Sequence, residues 1–297
     1  MSIVLITGTS TGIGYYTAIR LAQSGHKVYA TMRNPQRSPE LQDFAKESRL
    51  PITVLTLDVT SDESVEKAFR YVFEKEGHID VLVNNAGIAG SGAVEETPME
   101  LFRANMETNY FGALRCIKQV LPLMRERQSG YIINVTSLAG TIASNFHSPY
   151  SASKFALESL SECLAQEVYE FNIKVAIVQP GIIDTPIFKE KERNEVAVPK
   201  TKYPRIIRFF LEFQNSLQNN RIPPGVVAKK IKKIIETENP NLRNPASIDA
   251  APILNWRKSM TDEEWIRHGM ISDEDWCKTV SEEISNKYRQ IISSINQ

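Results

Sequence analysis

The sequence predicts an α/β fold: a doubly wound parallel sheet flanked by helices, followed by a helical C-terminal extension. Short β-branched runs alternate with segments of helical periodicity through about the first 190 residues, as in chains of βα repeats. Polar and glycine-rich segments directly follow the predicted strands, at the edge where such sheets place ligands. We expect one domain over residues 1–297, with the helical extension at 246–297.

The first four strands are predicted from short runs of β-branched and apolar residues. The periodic segment after the first strand ends at Gly25, a residue type suited to the position that follows a helix. Ser61 is a candidate N-cap for a helix that continues to Glu76. The four strands are expected at Ile3–Ile6, Val28–Thr31, Ile52–Leu57 and Val81–Val83.

The next helical segment, residues 99–124, carries Asn109 among apolar residues. A buried asparagine in a helix must find hydrogen-bond partners. Asn109 is therefore either the site of a local kink or an anchor for a water molecule next to Lys154. The glycine cluster at residues 87–92 is interpreted as a flexible loop. Further elements are expected at Ile132–Val135 and Ile173–Val178, both strands, and at Val226–Ile235, the last core helix.

Ser137, Tyr150 and Lys154 form a candidate acid/base unit. Ser137 falls where the fifth strand ends, and Tyr150 and Lys154 lie four residues apart on one face of the following helix. A free tyrosine has a pKa of about 10, and a fixed cation nearby favours the phenolate, so we expect Lys154 to lower the pKa of Tyr150. Ser137 would donate a hydrogen bond to a carbonyl or alkoxide oxygen while Tyr150 transfers a proton. These groups suit carbonyl and alcohol chemistry.

A second Tyr-x-x-x-Lys pair, Tyr71 and Lys75, shows that this spacing alone is weak evidence. The pair lies in a charged segment, and no strand end feeds into it. Asp58 stands thirteen residues before Tyr71, whereas Ser137 stands thirteen residues before Tyr150. We therefore interpret Tyr71 as part of a solvated helix.

A glycine-rich turn follows the first strand and begins the first helix, reading Thr-Gly-Thr-Ser-Thr-Gly-Ile-Gly from Thr7. Glycines at such a turn let the backbone approach a pyrophosphate at the helix N-terminus. Arg33 follows the second strand, where an arginine accepts a 2′-phosphate and a carboxylate would bind a 2′-hydroxyl. The expected cofactor is therefore NADP(H) rather than NAD(H), with the Ser10 hydroxyl as a further contact.

The composition excludes several classes of function. Lys plus Arg and Asp plus Glu both number 35, so the chain lacks the charge footprint of a protein that binds nucleic acid. Cys116, Cys163 and Cys277 are too few and too far apart for a disulfide framework or a metal site, and we expect reduced thiols. No signal peptide precedes the first strand and no apolar run is long enough to span a bilayer, so we expect a cytoplasmic protein.

Further short motifs lie at other strand ends: Asp58-Val59, Asn84-Asn85-Ala86-Gly87 and Pro180-Gly181. Together with the glycine-rich turn, Asn109, and the Ser137, Tyr150 and Lys154 set, they resemble the short-chain dehydrogenase/reductase family over residues 1 to about 190. The segment Tyr-Ala-Thr-Met-Arg, residues 29–33, is similar to the NADP-preferring hydroxysteroid and retinol dehydrogenase branch of that family.

The resemblance implies a Rossmann-type oxidoreductase and a role for each motif. Tyr150 would be the general acid/base, Lys154 its activator and a ribose ligand, and Ser137 the donor to the substrate oxygen. Asn109 would hold a proton-relay water and Thr185 would meet the nicotinamide amide. The residues expected to bind the dinucleotide are Gly8, Ser10, Thr11, Gly12, Ile13, Gly14, Arg33, Asp58, Val59, Asn85, Ala86, Gly87, Tyr150, Lys154, Pro180, Gly181, Ile183 and Thr185.

The last third of the chain is less informative. Residues 187–225 contain the charge run Lys189–Arg193 and are expected to form a substrate loop or lid. The apolar face from Ile206 to Leu217 is expected to pack on the core, with a wall for a lipophilic substrate as the alternative. The resemblance also implies a seventh strand, but no β-rich run stands out for it, which leaves the far edge of the sheet undetermined.

The C-terminal extension carries an eleven-residue repeat, in which Met260–Trp265 returns as Ile271–Trp276. Thr261 and Ser272 look like capping residues of two surface helices. The amphipathic segment from residue 276 to 295 is expected to cover the core or to meet another subunit of a homo-oligomer.

The sequence as a whole predicts an NADP(H)-dependent oxidoreductase that transfers hydride between the nicotinamide and a small-molecule secondary alcohol or ketone. The apolar segment after residue 206 favours a lipophilic substrate such as a steroid, a retinoid or another carbonyl compound. Two alternatives stay open: a dinucleotide-sensing protein without catalysis, and a nicotinamide-dependent epimerase or dehydratase.

Overall fold

A computed structural model describes residues 1–189, 201–219 and 221–295 of the chain. Within these ranges a seven-stranded parallel sheet forms the centre, which confirms the predicted fold class. The strands are β1 (Ile3–Thr7), β2 (Lys27–Met32), β3 (Ile52–Thr56), β4 (Val81–Asn84), β5 (Gly130–Val135), β6 (Ile173–Gln179) and β7 (Arg243–Pro245). Their spatial order is β3-β2-β1-β4-β5-β6-β7.

Helices cover both faces of the sheet, which is why the strands read as continuous apolar runs. One apolar core joins residues of the sheet to Phe69, Ile117 and Leu164, and the other joins it to Leu21 and Ile231. The helices are α1 (Gly12–Gln23), α2 (Glu40–Glu47), α3 (Asp62–Glu76), α4 (Met99–Met106), α5 (Gly112–Arg127), α6 (Ser148–Glu167), α7 (Pro186–Lys189), α8 (Ile206–Asn219), α9 (Gly225–Ile235), α10 (Ala250–Lys258), α11 (Asp262–His268), α12 (Asp273–Thr279) and α13 (Glu282–Ile295).

The predicted helix ends are confirmed where a capping residue marks them. Gly25 follows α1 with a φ of 86°, the left-handed conformation that glycine adopts without strain. Ser61 precedes α3, and its side-chain oxygen accepts a 3.2 Å hydrogen bond from the backbone N–H of Ser64. Thr261 begins α11 with a full capping box that includes Glu264.

The far edge of the sheet is a strand that propensity does not predict. β7 has only three residues, and it pairs with the end of β6 through Ile177 opposite Arg243 and Gln179 opposite Pro245. Proline is tolerated at a sheet edge because its missing N–H faces no partner strand. The seventh strand therefore exists, as the family resemblance implied. Its pairing with β6 makes it a strand, since its amino-acid composition does not favour one.

The last two C-terminal helices, α12 and α13, pack against α8. Ile206, Ile207 and Leu211 of α8 form a third apolar cluster with Trp276 and with residues of α13. The expectation that α8 packs on the central core is therefore wrong, because its buried face meets the C-terminal extension. The expectation of two capped surface helices is confirmed for α11 and α12, and α12 differs in burying Trp276, which is only 3 % exposed.

The structure describes only part of the expected lid, residues 187–225. Residues 190–193 of the charge run and most of the loop before α8 lie outside the described residues, so the lid remains a prediction.

In the described part of the chain, no helix combines the length and the apolar composition needed to cross a membrane.

Candidate active site

A cleft opens above the carboxyl ends of the strands, where the strand order reverses between β1 and β4. The helices that follow these two strands lie on opposite faces of the sheet, so the loops diverge and leave a crevice. All the residues proposed from the sequence line this cleft except Gly14 and Asn109, which lie buried behind its wall.

The glycine-rich turn packs directly against the loop that follows β4. Gly8 has a φ of 71°, and a Cβ at that position would lie 2.7 Å from the Cα of Ala86. A Cβ on Gly14 would lie 2.3 Å from the carbonyl oxygen of Gly8. Thr11 begins α1 without a side-chain capping bond, and the first turn holds no acidic residue. The backbone N–H groups at this helix start are thus available to a phosphate.

Asn85 connects the two loops. Its side-chain Nδ2 donates hydrogen bonds to the carbonyl oxygens of Thr7 and Gly8, both at 2.9 Å. The Thr7 hydroxyl in turn accepts from the backbone N–H groups of Asn85 and Ala86, each at 3.0 Å. The amide side chain of Asn85 therefore holds the phosphate-side loops together, and the residue also lines the cleft.

Arg33 lies exposed at the end of β2, at the rim of the cleft. Asp58 and Val59 follow β3 on the same side. The Asp58 carboxylate accepts 2.9 Å and 2.8 Å hydrogen bonds from the backbone N–H and hydroxyl of Thr60, which fixes this turn. The end of the cleft nearest β2 and β3 thus offers one exposed cation, Arg33, next to a small apolar wall.

The loop after β6 closes the cleft from the other side. The backbone N–H of Gly181 donates to the Ser247 hydroxyl at 2.9 Å, and the N–H of Ile182 donates to the Asp249 carboxylate at 3.1 Å. A Cβ on Gly12 would lie 3.1 Å from Thr185, so this loop also meets the glycine-rich turn. The anchors Ser247 and Asp249 come from the segment before α10 and were not predicted, because nothing local marks them.

Ser137, Tyr150 and Lys154 meet in the cleft as the spacing predicted. Ser137 follows β5 and lies beside the phenol of Tyr150, and its side-chain oxygen accepts a 3.1 Å hydrogen bond from the backbone N–H of Ala139. The Lys154 side-chain nitrogen lies 5.6 Å from the centre of the Tyr150 ring and donates a 3.0 Å hydrogen bond to the carbonyl oxygen of Val135. Tyr150 and Lys154 are both almost fully buried, at 7 % and 4 % exposure.

Burial dominates the titration of this pair. It raises the pKa of Tyr150 from its usual 10 to about 12, and the hydrogen bond to Ser137 opposes the shift only in part. It also lowers the pKa of Lys154 from 10.5 to about 8, against the attraction of Glu158. The pKa of Tyr150 is therefore raised overall, opposite to the net lowering expected from the sequence, because burial outweighs the effects that favour the phenolate. At neutral pH, Tyr150 holds its proton and Lys154 its charge.

Asn109 supports the cleft from behind. It lies in a π-helical turn at residues 107–111 that separates α4 from α5, which is the local irregularity its position suggested. Its side-chain oxygen accepts from the backbone N–H of Ile88 at 2.9 Å, and its nitrogen donates to the Ile88 carbonyl at 3.0 Å and to Ser153 at 2.9 Å. A Cβ on Gly87 would lie 3.2 Å from the Asn109 oxygen and 3.6 Å from the Lys154 nitrogen.

The second Tyr-x-x-x-Lys pair is not part of this site. Tyr71 on α3 is 40 % exposed, and its ring lies in a T-shaped arrangement with that of Tyr29, with 6.4 Å between the ring centres. Neither Tyr71 nor Lys75 lines the cleft. The difference between the two pairs is the strand end that only Tyr150 faces.

A row of aromatic rings leads away from Tyr150. The ring of His147 stacks on that of Tyr150 with 4.9 Å between the ring centres, and the ring centre of Phe209 of α8 lies 5.6 Å from that of His147. Phe209 stacks in turn on Phe213 at 6.2 Å. The alternative interpretation of α8, an apolar wall beside the site, is compatible with this row.

Sequence reasoning missed several residues of the cleft, although most are neighbours of predicted ones. Thr108 adjoins Asn109, and Thr136 adjoins Ser137, so adjacency to a motif was the signal that could have found them. The lining residues not predicted are Met32, Leu57, Thr60, Ile88, Thr108, Val135, Thr136 and Ile187.

The fold and the site can be compared with known proteins. The family model described as short chain dehydrogenase matches residues 2–196. The chain belongs to the short-chain dehydrogenase/reductase family. Members of this family are oxidoreductases that act on alcohol and carbonyl groups, and the chain is such an enzyme.

Two relatives match most of this short-chain dehydrogenase/reductase. A 3-ketodihydrosphingosine reductase of Bacteroides thetaiotaomicron is 37 % identical over 241 residues, which are 81 % of this chain and 86 % of the relative. Retinol dehydrogenase 8 of Bos taurus is 36 % identical over 263 residues, which are 84 % of this chain and 83 % of the relative.

Solved structures give the same result for the fold. A short-chain dehydrogenase from Streptomyces avermitilis has a TM-score of 0.73 and 31 % identity, covering 92 % of this chain and 100 % of its own. An actinorhodin polyketide ketoreductase variant determined with NADPH has a TM-score of 0.70 and 29 % identity, covering 82 % and 96 %.

Proposed function

We propose that this short-chain dehydrogenase/reductase reduces a lipophilic carbonyl compound, a ketone or an aldehyde, to the alcohol with NADPH, and catalyses the reverse oxidation with NADP⁺. The observation that carries the reaction type is the grouping of Ser137, Tyr150 and the buried Lys154 in the cleft above the strand ends. Burial keeps Tyr150 protonated at neutral pH, the state in which it can donate a proton to a carbonyl oxygen.

The residues of the cleft fit a dinucleotide. The cradle at Gly8 and Gly14 has no room for a Cβ, and the start of α1 offers N–H groups to the pyrophosphate. Arg33 at the rim would pair with a 2′-phosphate, which supports NADP(H) over NAD(H). Asp58 and Val59 would flank the adenine, Lys154 would bind the ribose, and Thr185 would meet the nicotinamide amide. When bound, NADPH supplies the hydride for the carbonyl carbon.

The chain's own residues supply the proton and the charge. Ser137 and Tyr150 donate hydrogen bonds to the carbonyl oxygen of the substrate and hold it in place. As the carbon gains hydride, the Tyr150 hydroxyl passes its proton to that oxygen, which becomes the alcohol. The Lys154 ammonium stabilises the phenolate that remains. Asn109 would hold the water through which the phenolate regains a proton.

The substrate class rests on the aromatic row. His147, Phe209 and Phe213 extend an apolar surface from Tyr150 onto α8, a surface suited to an alkyl or polyene chain. Both relatives described above carry names of lipid-like substrates, a ketosphingoid base and a retinoid. A long-chain or polyisoprenoid carbonyl compound is therefore the proposed substrate.

The test is a reductase assay with NADPH on 3-ketodihydrosphingosine, all-trans-retinal and the small ketone cyclohexanone, followed by the absorbance of the reduced cofactor. We expect turnover of at least one lipophilic compound in preference to cyclohexanone. Tyr150→Phe should abolish turnover and keep NADPH binding, whereas the matched control Tyr71→Phe should behave as wild type. Normal turnover by Tyr150→Phe would overturn the mechanism. Tight NADPH binding without turnover of any compound would favour the sensing alternative.

A further inference from the structure

Glu158 is a buried carboxylate that the proposed mechanism does not use. It lies one helical turn after Lys154 on α6 and is only 3 % exposed. Three side chains from three different strand ends converge on it. Thr136 after β5 donates from its hydroxyl at 2.7 Å, Gln179 of β6 donates from Nε2 at 3.1 Å, and Arg243 of β7 donates from Nε at 2.9 Å.

Two of these contacts, those of Thr136 and Gln179, reach parts of the active site. Thr136 directly precedes Ser137, and Gln179 directly precedes the Pro180-Gly181 turn that lines the cleft. A Cβ on Gly140 would lie 2.9 Å from the Glu158 side chain, so the turn after Ser137 is also packed on it. The Glu158 carboxylate thus connects the loops after β5 and β6 to the helix that carries Tyr150 and Lys154.

The Glu158 carboxylate is buried at a cost in desolvation. Burial raises the pKa of Glu158, because the hydrogen bonds and the ion pair with Arg243 offset its desolvation only in part. A buried ion pair often adds nothing to stability over neutral groups of the same shape. A glutamine would keep an oxygen for Thr136 and Gln179, but its amide nitrogen would face the donating Nε of Arg243. The site therefore requires a group that only accepts hydrogen bonds, and this group is an anion close to Lys154.

We propose that Glu158 is a positioning residue, which holds the Ser137 strand end in register with the Tyr150/Lys154 helix and places a negative charge one turn from Lys154. This inference rests on the proposed function of Tyr150 and Lys154. Thr136 and Arg243 are its partners: Thr136 transmits the position to Ser137, and Arg243 partly neutralises the carboxylate.

The charged and titratable groups around Lys154 come from few elements in the described part of the chain. Tyr150 and Glu158 lie on its own helix, and His147 stacks on the far side of Tyr150. Arg243 reaches Glu158 from β7 and also pairs with the half-exposed Glu162 at 2.5 Å. Glu158 is thus the anion whose attraction favours the charged form of Lys154.

The deciding experiment compares Glu158→Gln with wild type in the pH profile of kcat/KM for NADPH at saturating ketone. Loss of the Glu158 charge should lower the pKa of Lys154 and so move the alkaline limb of the profile to lower pH by about one unit. Such a shift lowers activity about fivefold at pH 8 and leaves it nearly unchanged at pH 6. Thermal stability should not exceed that of wild type, because the amide nitrogen of glutamine cannot accept the hydrogen bond from Arg243.

Two further variants separate position from charge. Thr136→Val removes the link to Ser137 and keeps the charge, so kcat should fall at all pH values without a shift of the limb. Glu162→Gln removes the other anion on Arg243 and touches neither Thr136 nor Gln179, so its profile should match wild type.

An unmoved alkaline limb in Glu158→Gln would overturn the inference, and so would an equal loss of activity at every pH. These failures are distinct from failure of the proposed function. If Tyr150→Phe is inactive while Glu158→Gln has the wild-type profile, only the role of Glu158 is lost.

Discussion

The side-chain nitrogen of Lys154 lies 3.0 Å from the carbonyl oxygen of Val135, the last residue of β5. This hydrogen bond ties the helix that carries Tyr150 to the strand end that precedes Ser137. It also satisfies one of three donors of an ammonium group that is almost fully buried. Burying a charged lysine costs free energy, and the next two predictions follow from that cost.

We expect the reductase activity to fall as the pH rises above about 8. Burial lowers the pKa of Lys154 to about 8, so its ammonium form prevails below that pH and is lost above it. Tyr150 keeps its proton until about pH 12, so it is not the first group to titrate. The measurement is kcat/KM for NADPH from pH 6 to 10 at constant ionic strength, since this ratio reports the free protein. A profile that stays flat up to pH 10 would contradict the assignment.

Lys154→Met should make the protein more stable and inactive. The folded pKa of about 8 lies below the 10.5 of a free lysine, so the buried charge opposes folding at pH 7. Removing it should raise the free energy of unfolding by about 1 to 3 kcal/mol. Between pH 8 and 10.5 the unfolded wild-type chain binds more protons than the folded one, so the free energy of unfolding of the wild type rises with pH. It therefore approaches that of the variant in this range.

Urea denaturation at pH 7 and at pH 9.5 measures this difference. Lys118→Met, on the exposed side of α5, is the control and should change stability by less than about 0.5 kcal/mol. A Lys154→Met protein less stable than wild type at pH 7 would show that the hydrogen bond to Val135 outweighs the cost of the buried charge.

Much of the site was predictable because its signals are local. The spacing of Tyr150 and Lys154 fixes one helical face, and Ser137 follows a recognisable strand, so their meeting required only a parallel sheet. The pKa of Tyr150 was not predictable in the same way. Its direction depends on how deeply the ring is buried, and several distant elements decide that together.

The parts of the fold that the sequence did not predict depend on tertiary contacts. β7 has no β-branched residue and exists because it lies beside β6. Trp276 has the same local context as Trp265, yet one is buried against α8 and the other reaches the Ala143 carbonyl from the surface. Repetition in sequence therefore did not imply equal burial.

Arg33→Ala should weaken NADPH binding and leave NADH binding nearly unchanged. The guanidinium at the cleft rim would otherwise pair with the 2′-phosphate, and a charged hydrogen bond of this kind corresponds to about tenfold or more in affinity. Arg37→Ala is the matched control, because Arg37 lies exposed on the same connection but does not line the cleft. The measurement is the Kd of each dinucleotide by fluorescence titration. An equal loss for NADPH and NADH would remove Arg33 from the 2′-phosphate.

Trp276→Ala should impair use of a lipophilic ketone while dinucleotide binding is retained. Trp276 is buried against α8, where it contacts the guanidinium of Arg208 at 5.5 Å and donates to Glu212. Arg208 is itself buried and donates a 2.7 Å hydrogen bond to the Ile271 carbonyl, so the C-terminal extension fixes the helix that carries Phe209.

Removing a buried tryptophan costs about 3 to 5 kcal/mol, and this loss falls on a cluster separate from the two cores of the sheet. We therefore expect KM for a long-chain ketone to rise several-fold, with a smaller rise for Trp276→Phe and none for the exposed control Trp256→Ala. The KM of cyclohexanone and the Kd of NADPH should stay near wild-type values, because neither needs the surface of α8. Equal changes in KM for the long-chain ketone and for cyclohexanone would contradict a role of α8 in binding the apolar chain.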